Sequence, residues 1–149
     1  MASAAERLLA LVLRAAGAVE TLAVFPALMP RSWMAAVHDL IGLGPFPQGP
    51  VVEYLARSLS GLYALMGGMM LVASTDVRRY APLITYTAVA VMAFGLLVLA
   101  VDLSVGMPLW WALGEGPFLM TLGAVLLALQ RRAGAGRGVT CQPGRAPAP

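Results

Sequence analysis

Residues 81–101, APLITYTAVAVMAFGLLVLAV, form a run of 21 residues without one charged side chain. At 1.5 Å per residue, a helix of that length reaches about 30 Å, the thickness of a bilayer's hydrocarbon core. The run predicts a membrane-spanning helix, so lipid is one of this chain's solvents. Three further segments fit the same length. Leu8–Met29 is interrupted by Arg14 and Glu20, Val51–Thr75 carries Glu53 and Arg57 in its first two turns, and Trp110–Gln130 has Glu115 near its start. Starting the last helix at Pro117 would leave only about 13 apolar residues, too few to cross. The expected fold class is therefore an all-α integral membrane four-helix bundle spanning residues 1–130.

The rest of the composition agrees. Hydrophobic residues make up 60% of the chain and charged ones only 11%, against about 25% charged in a soluble domain. That excludes an ordinary water-soluble enzyme, a nucleic-acid binder and a disordered chain. One cysteine, Cys141, permits neither an intrachain disulfide nor a cysteine zinc site. Any active site must lie among the helices or on the 30–50 connection.

All ten basic residues are arginine, which with abundant Ala, Gly and Pro points to a GC-rich bacterial genome. Their positions sort by side. Arg7, Arg14, Arg78, Arg79, Arg131, Arg132, Arg137 and Arg145 gather with Glu6 and Asp76, whereas Arg31 and Arg57 share the other side with Glu20, Asp39, Glu53, Asp102 and Glu115. The positive-inside rule puts both termini in the cytoplasm. Topology and anionic lipid headgroups account for the basic side without nucleic acid. The run Leu8–Leu13 is shorter than a signal-peptide core, so the first helix is expected to stay.

The 30–50 connection is more than a linker. Ser32 is a plausible N-cap, and Trp33, Val37, Leu40 and Ile41 make one apolar stripe, which predicts an interfacial helix over about 32–42. Gly44-Pro45-Phe46-Pro47-Gln48-Gly49-Pro50 is a turn-rich return. Trp110 and Trp111 fit one aromatic belt and Tyr80 the other. The tail, residues 131–149, is expected to be disordered.

An ionisable group inside a membrane helix costs about 2.5–3.5 kcal/mol on insertion scales, so each needs a partner or a purpose. Counting rises, Glu20 and Arg57 fall at depths their side chains can bridge, which predicts an ion pair that Glu53, four residues before Arg57, can share. Its meaning stays open between an interhelical clamp and a proton- or substrate-binding carboxylate. Arg14 reads as a snorkelling anchor. His38, Asp39, Asp102 and Glu115 form a candidate polar cluster near one interface, but their spacing matches no metal motif. Ser60, Ala64 and Gly68, widened by Gly61 and Gly67, give a small-residue face for helix packing or a homodimer. The nine Met residues read as adaptable packing.

The stretch from Glu53 to Gly67, EYLARSLSGLYALMG, followed by Ser74 to Tyr80, STDVRRY, resembles small bacterial four-helix membrane proteins of the DoxX-like and related families. The likeness covers residues 5–130 in topology: a long first outer loop, an early Arg in the second helix, a Gly-rich second half and a basic inner loop. It implies association with quinone-coupled oxidoreductase complexes and brings no catalytic residue. A second resemblance is to small multidrug transporters, which carry a membrane-embedded Glu in their first helix, here Glu20. The longer chain and outer loop depart from that family, and an Arg57 partner would oppose proton exchange at Glu20. Three functions follow as expectations. The first is a non-catalytic scaffold or accessory subunit with other membrane proteins as partners and no cofactor. The second is a quinone-linked oxidoreductase subunit, and the third a small dimeric proton-coupled exporter using Glu20.

Overall fold

The computed structural model describes residues 2–138, with side chains through residue 135. Cys141, Arg145 and the rest of the expected tail lie outside the described residues. The order is α1 (Ala4–Thr21), α2 (Val24–Leu28), α3 (Arg31–Leu40), α4 (Pro50–Ala73), α5 (Ala81–Val105) and α6 (Leu109–Gly138). Among the described residues there is no strand. Four helical segments are long and apolar enough to cross a membrane: Ala4–Leu28, Pro50–Ala73, Ala81–Val105 and Leu109–Ala135.

Local chemistry moves several expected boundaries. Helix α1 starts at Ala4 rather than Leu8, because Ser3 Oγ accepts the Glu6 N–H while a Glu6 carboxylate oxygen accepts the Ser3 N–H. This is a complete capping box. The first span is not continuous either. Pro26 has no N–H to return to the Leu22 carbonyl, Phe25 N–H takes that carbonyl at 3.0 Å, and the chain bends at Leu22–Ala23. In α3 the N-cap position belongs to Pro30, without a side-chain cap, so Ser32 lies inside the helix instead of capping it. Helix α5 runs on to Val105, bringing Asp102 inside it, and stops at Gly106 with φ +74°. Helix α6 passes through Pro117 and continues beyond Gln130 to Gly138, so the start of the expected disordered tail is helical. Ala133, 5% exposed, packs there.

The long helices pack as two close pairs, α1 with α4 and α5 with α6, joined chiefly through α1 and α6, while α4 and α5 barely touch. Glycines set the close approaches. A Cβ on Gly67 would lie 2.5 Å from Thr21 N and 2.6 Å from Gly17 O, so α4 rides directly on the α1 backbone at that point. Gly95, Gly116 and Gly123 do the same between α5 and α6. The expected small-residue face is thereby corrected in detail. Gly67 makes the contact, whereas a Cβ on Gly68 or Gly61 would meet nothing within 4 Å, and Ser60 and Ala64 are half-buried.

The core lies toward the end that carries Ser3 and the 74–80 turn, called here the terminal end. Leu9, Leu13, Met70, Ala73, Ile84, Leu126 and Leu129 pack together there. The opposite loop end carries residues 29–49 and the 106–108 turn.

Candidate functional site

Arg57 turns to its own helix. Its Nε and Nη2 donate to Glu53 Oε1 at 3.1 and 2.9 Å, and its Nη1 donates to the Ala27 carbonyl at 2.9 Å. The carbonyls at the end of α2 have no helical donor of their own, so Arg57 caps α2 and ties it to α4. The expected Glu20–Arg57 pair is absent: within 4 Å, Arg57 has Glu53 as its only ion-pair partner among the described residues. One residue four positions away on the same helix satisfies Arg57 at no cost in helix placement.

Glu20 is left elsewhere. It sits in the last turn of α1, just before the Leu22–Ala23 bend. The Gly17–Thr21 turn beside it is clamped against Gly67, and Thr21 Oγ1 donates to the Gly17 carbonyl at 2.6 Å. Its Oε2 is buried and has no hydrogen-bond partner. Glu20 lines a cavity of about 260 Å³ with Leu59, Leu62, Tyr63, Met66, Phe94 and Leu119. All four long helices contribute walls, and the space exists because α4 and α5 scarcely meet at this level. On its other side Glu20 lines a second apolar space of about 320 Å³ between α1 and α6.

The polar cluster expected among His38, Asp39, Asp102 and Glu115 divides. His38 Nδ1 lies 2.8 Å from the Gly44 carbonyl, which fixes the donor tautomer at that nitrogen, and its ring meets Phe46 edge-on at 5.4 Å. Arg31 completes this fold-back, with Nη2 donating to Gln48 Oε1 at 2.8 Å and the guanidinium over Phe46. Asp39 is exposed. Histidine therefore shapes the 31–48 connection and has no part in a carboxylate site. Asp102 and Glu115 do keep company, close enough to interact electrostatically. Asp102 is 7% exposed with an unpartnered Oδ2, and Glu115 Oε2 accepts Trp111 Nε1–H at 2.6 Å. Tyr63, on α4, lines the same cavity as Glu20. Sequence reasoning missed Tyr63, whose only signal was its place three turns along the apolar α4.

The terminal end is closed by a different device. Arg78 Nε and Nη2 donate to the two Glu6 oxygens at 2.7 and 2.8 Å. Held so, the Arg78 pKa rises above its already high ordinary value through the Glu6 hydrogen bond and charge. Arg14, expected to snorkel, has its Nε 3.4 Å from Ser74 Oγ. The single long-range ion pair foreseen in the sequence is thus replaced by Glu6–Arg78, across 72 residues.

A half-buried carboxyl with one sealed, unpartnered oxygen in apolar surroundings, as at Glu20, can do one of two things. It can hold a proton, or it can face a positive charge delivered by something else. Among the described residues no group of three or more metal-ligating side chains is present. Compared with protein-family models, curated proteins and solved structures, the chain matches none.

Proposed function

We propose that this chain is a multi-pass protein of a bacterial cytoplasmic membrane that binds hydrophobic cations at Glu20 in exchange for a proton. In this reading the terminal end is the cytoplasmic side, the four long helices form a bundle, and α3 lies in the outer interface. The side chains of Trp33, Val37 and Leu40, 65%, 45% and 84% exposed, support the last point, since an apolar stripe with no protein against it suits lipid. The exposed Leu62, Leu65, Val89, Leu96 and Leu97 suit lipid in the same way.

One observation carries the proposal: the Glu20 carboxyl, its Oε2 sealed and unpartnered, lines an apolar cavity of about 260 Å³. Ligand sites are characteristically apolar spaces with few polar groups aimed into them. Arg57 bonds to Glu53 and Ala27, so the objection that an adjacent arginine would fix the Glu20 charge does not apply. An embedded Glu in the first span is also the feature shared with small multidrug transporters. The bound cation supplies the charge that the fold withholds, and the proton supplies neutrality when the site is empty. No bond is made or broken in the ligand, so no enzymatic step is implied.

The test is saturable binding of tetraphenylphosphonium to the purified protein in micelles, wild type against Glu20→Gln. The expected result is affinity that falls as pH is lowered, and a loss of at least about tenfold in Glu20→Gln, the scale of one charge-assisted contact. Equal binding in both proteins, or none, returns the protein to a scaffold or accessory role. Stoichiometric quinone in the lipid extract returns it to the quinone-linked one.

A further inference from the structure

Glu20 borders two apolar spaces rather than one. The first is the cavity among the four long helices, and the second is the groove between α1 and α6 lined by Val12, Ala15, Ala16, Val19, Phe118 and Leu122. From this we infer that the site takes a cation whose charge lies in the middle of the molecule, with an apolar arm on either side. The inference rests on the reading of Glu20 given above and names the ligand class that fits it.

The two volumes, about 260 and 320 Å³, are comparable, and neither is lined by a charged side chain other than Glu20. A ligand with its charge at one end fills one space and leaves the other to lipid. A ligand with a central charge fills both while keeping the cation at the carboxyl. Small side chains make the groove: Ala15 and Ala16 face it from α1, and a larger residue there would occupy the second space. The walls also indicate its mouth. Val19 and Phe118 are 68% and 64% exposed, on a face that meets lipid in the bilayer, so the second arm enters sideways from the hydrocarbon. The first cavity carries two aromatic rings, Tyr63 and Phe94, against the single Phe118 of the second, and so favours a flat aromatic arm.

The experiment compares didecyldimethylammonium, with chains on both sides of its charge, and decyltrimethylammonium, with one chain. Both are measured by equilibrium dialysis against wild type, Ala15→Phe, Met66→Trp and Glu20→Gln in the same micelles, with circular dichroism and elution volume checking the fold. Ala15→Phe should weaken the two-chain cation by at least about tenfold, roughly the worth of two buried methylenes, and leave the one-chain cation unchanged. Met66→Trp should weaken both. An Ala15→Phe protein that binds the two-chain cation like wild type, while Glu20→Gln loses it, overturns the two-armed site and leaves the groove to lipid. Equal weakening of both cations by Ala15→Phe overturns it too. Binding of both cations that ignores Glu20→Gln instead overturns the reading of Glu20 itself.

Discussion

The terminal end and the remainder of the helix assembly solve the problem of polar groups in apolar surroundings in opposite ways. At the terminal end, Glu6 is 3% exposed and accepts from both Ser3 N–H and the Arg78 guanidinium, and Ser74 Oγ donates to the Leu71 carbonyl at 2.6 Å. A void of only about 10 Å³ lies between Leu13, Met70 and Ile84. Midway along the helices Glu20, and nearer the loop end Asp102, each keep a buried oxygen without a partner, and the space beside Glu20 is about 260 Å³. Gln130 Oε1 is the exception on the terminal side. Uncompensated burial costs stability, and of these three oxygens only that of Glu20 belongs to a residue lining the 260 Å³ cavity.

Substitutions in matched pairs can break that contrast. The largest effect is expected from Leu126→Ala at the terminal end, 0% exposed, costing about 2–5 kcal/mol of unfolding free energy in mixed micelles. Leu62→Ala at the cavity rim, 58% exposed, should cost under about 1 kcal/mol. Equal costs would mean that the cavity region is packed like the terminal end. Next, Gly67→Leu must push α1 from α4 and should cost about 1–3 kcal/mol, whereas Gly68→Leu, with open space before it, should stay within about 0.5 kcal/mol. Ser3→Ala removes the cap and should cost about 1 kcal/mol. Glu20→Gln should cost nothing or raise Tm, since it removes a carboxylate that has no partner to lose.

The smallest expected effect is one of pH. Because Glu6 raises the Arg78 pKa in the folded protein, that pair's contribution is complete below the unfolded value and fades only as pH climbs through the folded one. The Tm difference between wild type and Arg78→Gln should therefore hold constant from pH 7 to 10. A difference that shrinks across that range would show that the clamp is not the ion pair described.

Much of the fold was legible because a 21-residue uncharged run has few alternatives in water or lipid. The capping box and the interruption at Leu22–Ala23 went unread in the Leu8–Met29 span, although Ser3 and Glu6 stand in the S-x-x-E spacing and Pro26 denies Leu22 its donor. Both signals are local and lie in the sequence. The pairing of charges was not legible in the same way. Depth arithmetic along straight helices matched Glu20 to Arg57, but a carbonyl freed at the end of α2 and a Glu one turn away offered Arg57 nearer partners. Nor did spacing reveal that Tyr63 lines the cavity with Glu20, because that depends on which glycines bring helices together. Gly67 and Gly68 are adjacent and chemically identical, and only packing distinguishes them.

The central claim is that Glu20 trades a proton for a positive charge. The direct measurement is the proton released when tetraphenylphosphonium saturates the protein in weakly buffered micelles, at a pH where the empty site is still protonated. Wild type should release close to one proton per cation bound, and Glu20→Gln none. Saturable binding with no release at any pH from 5 to 9 would contradict it.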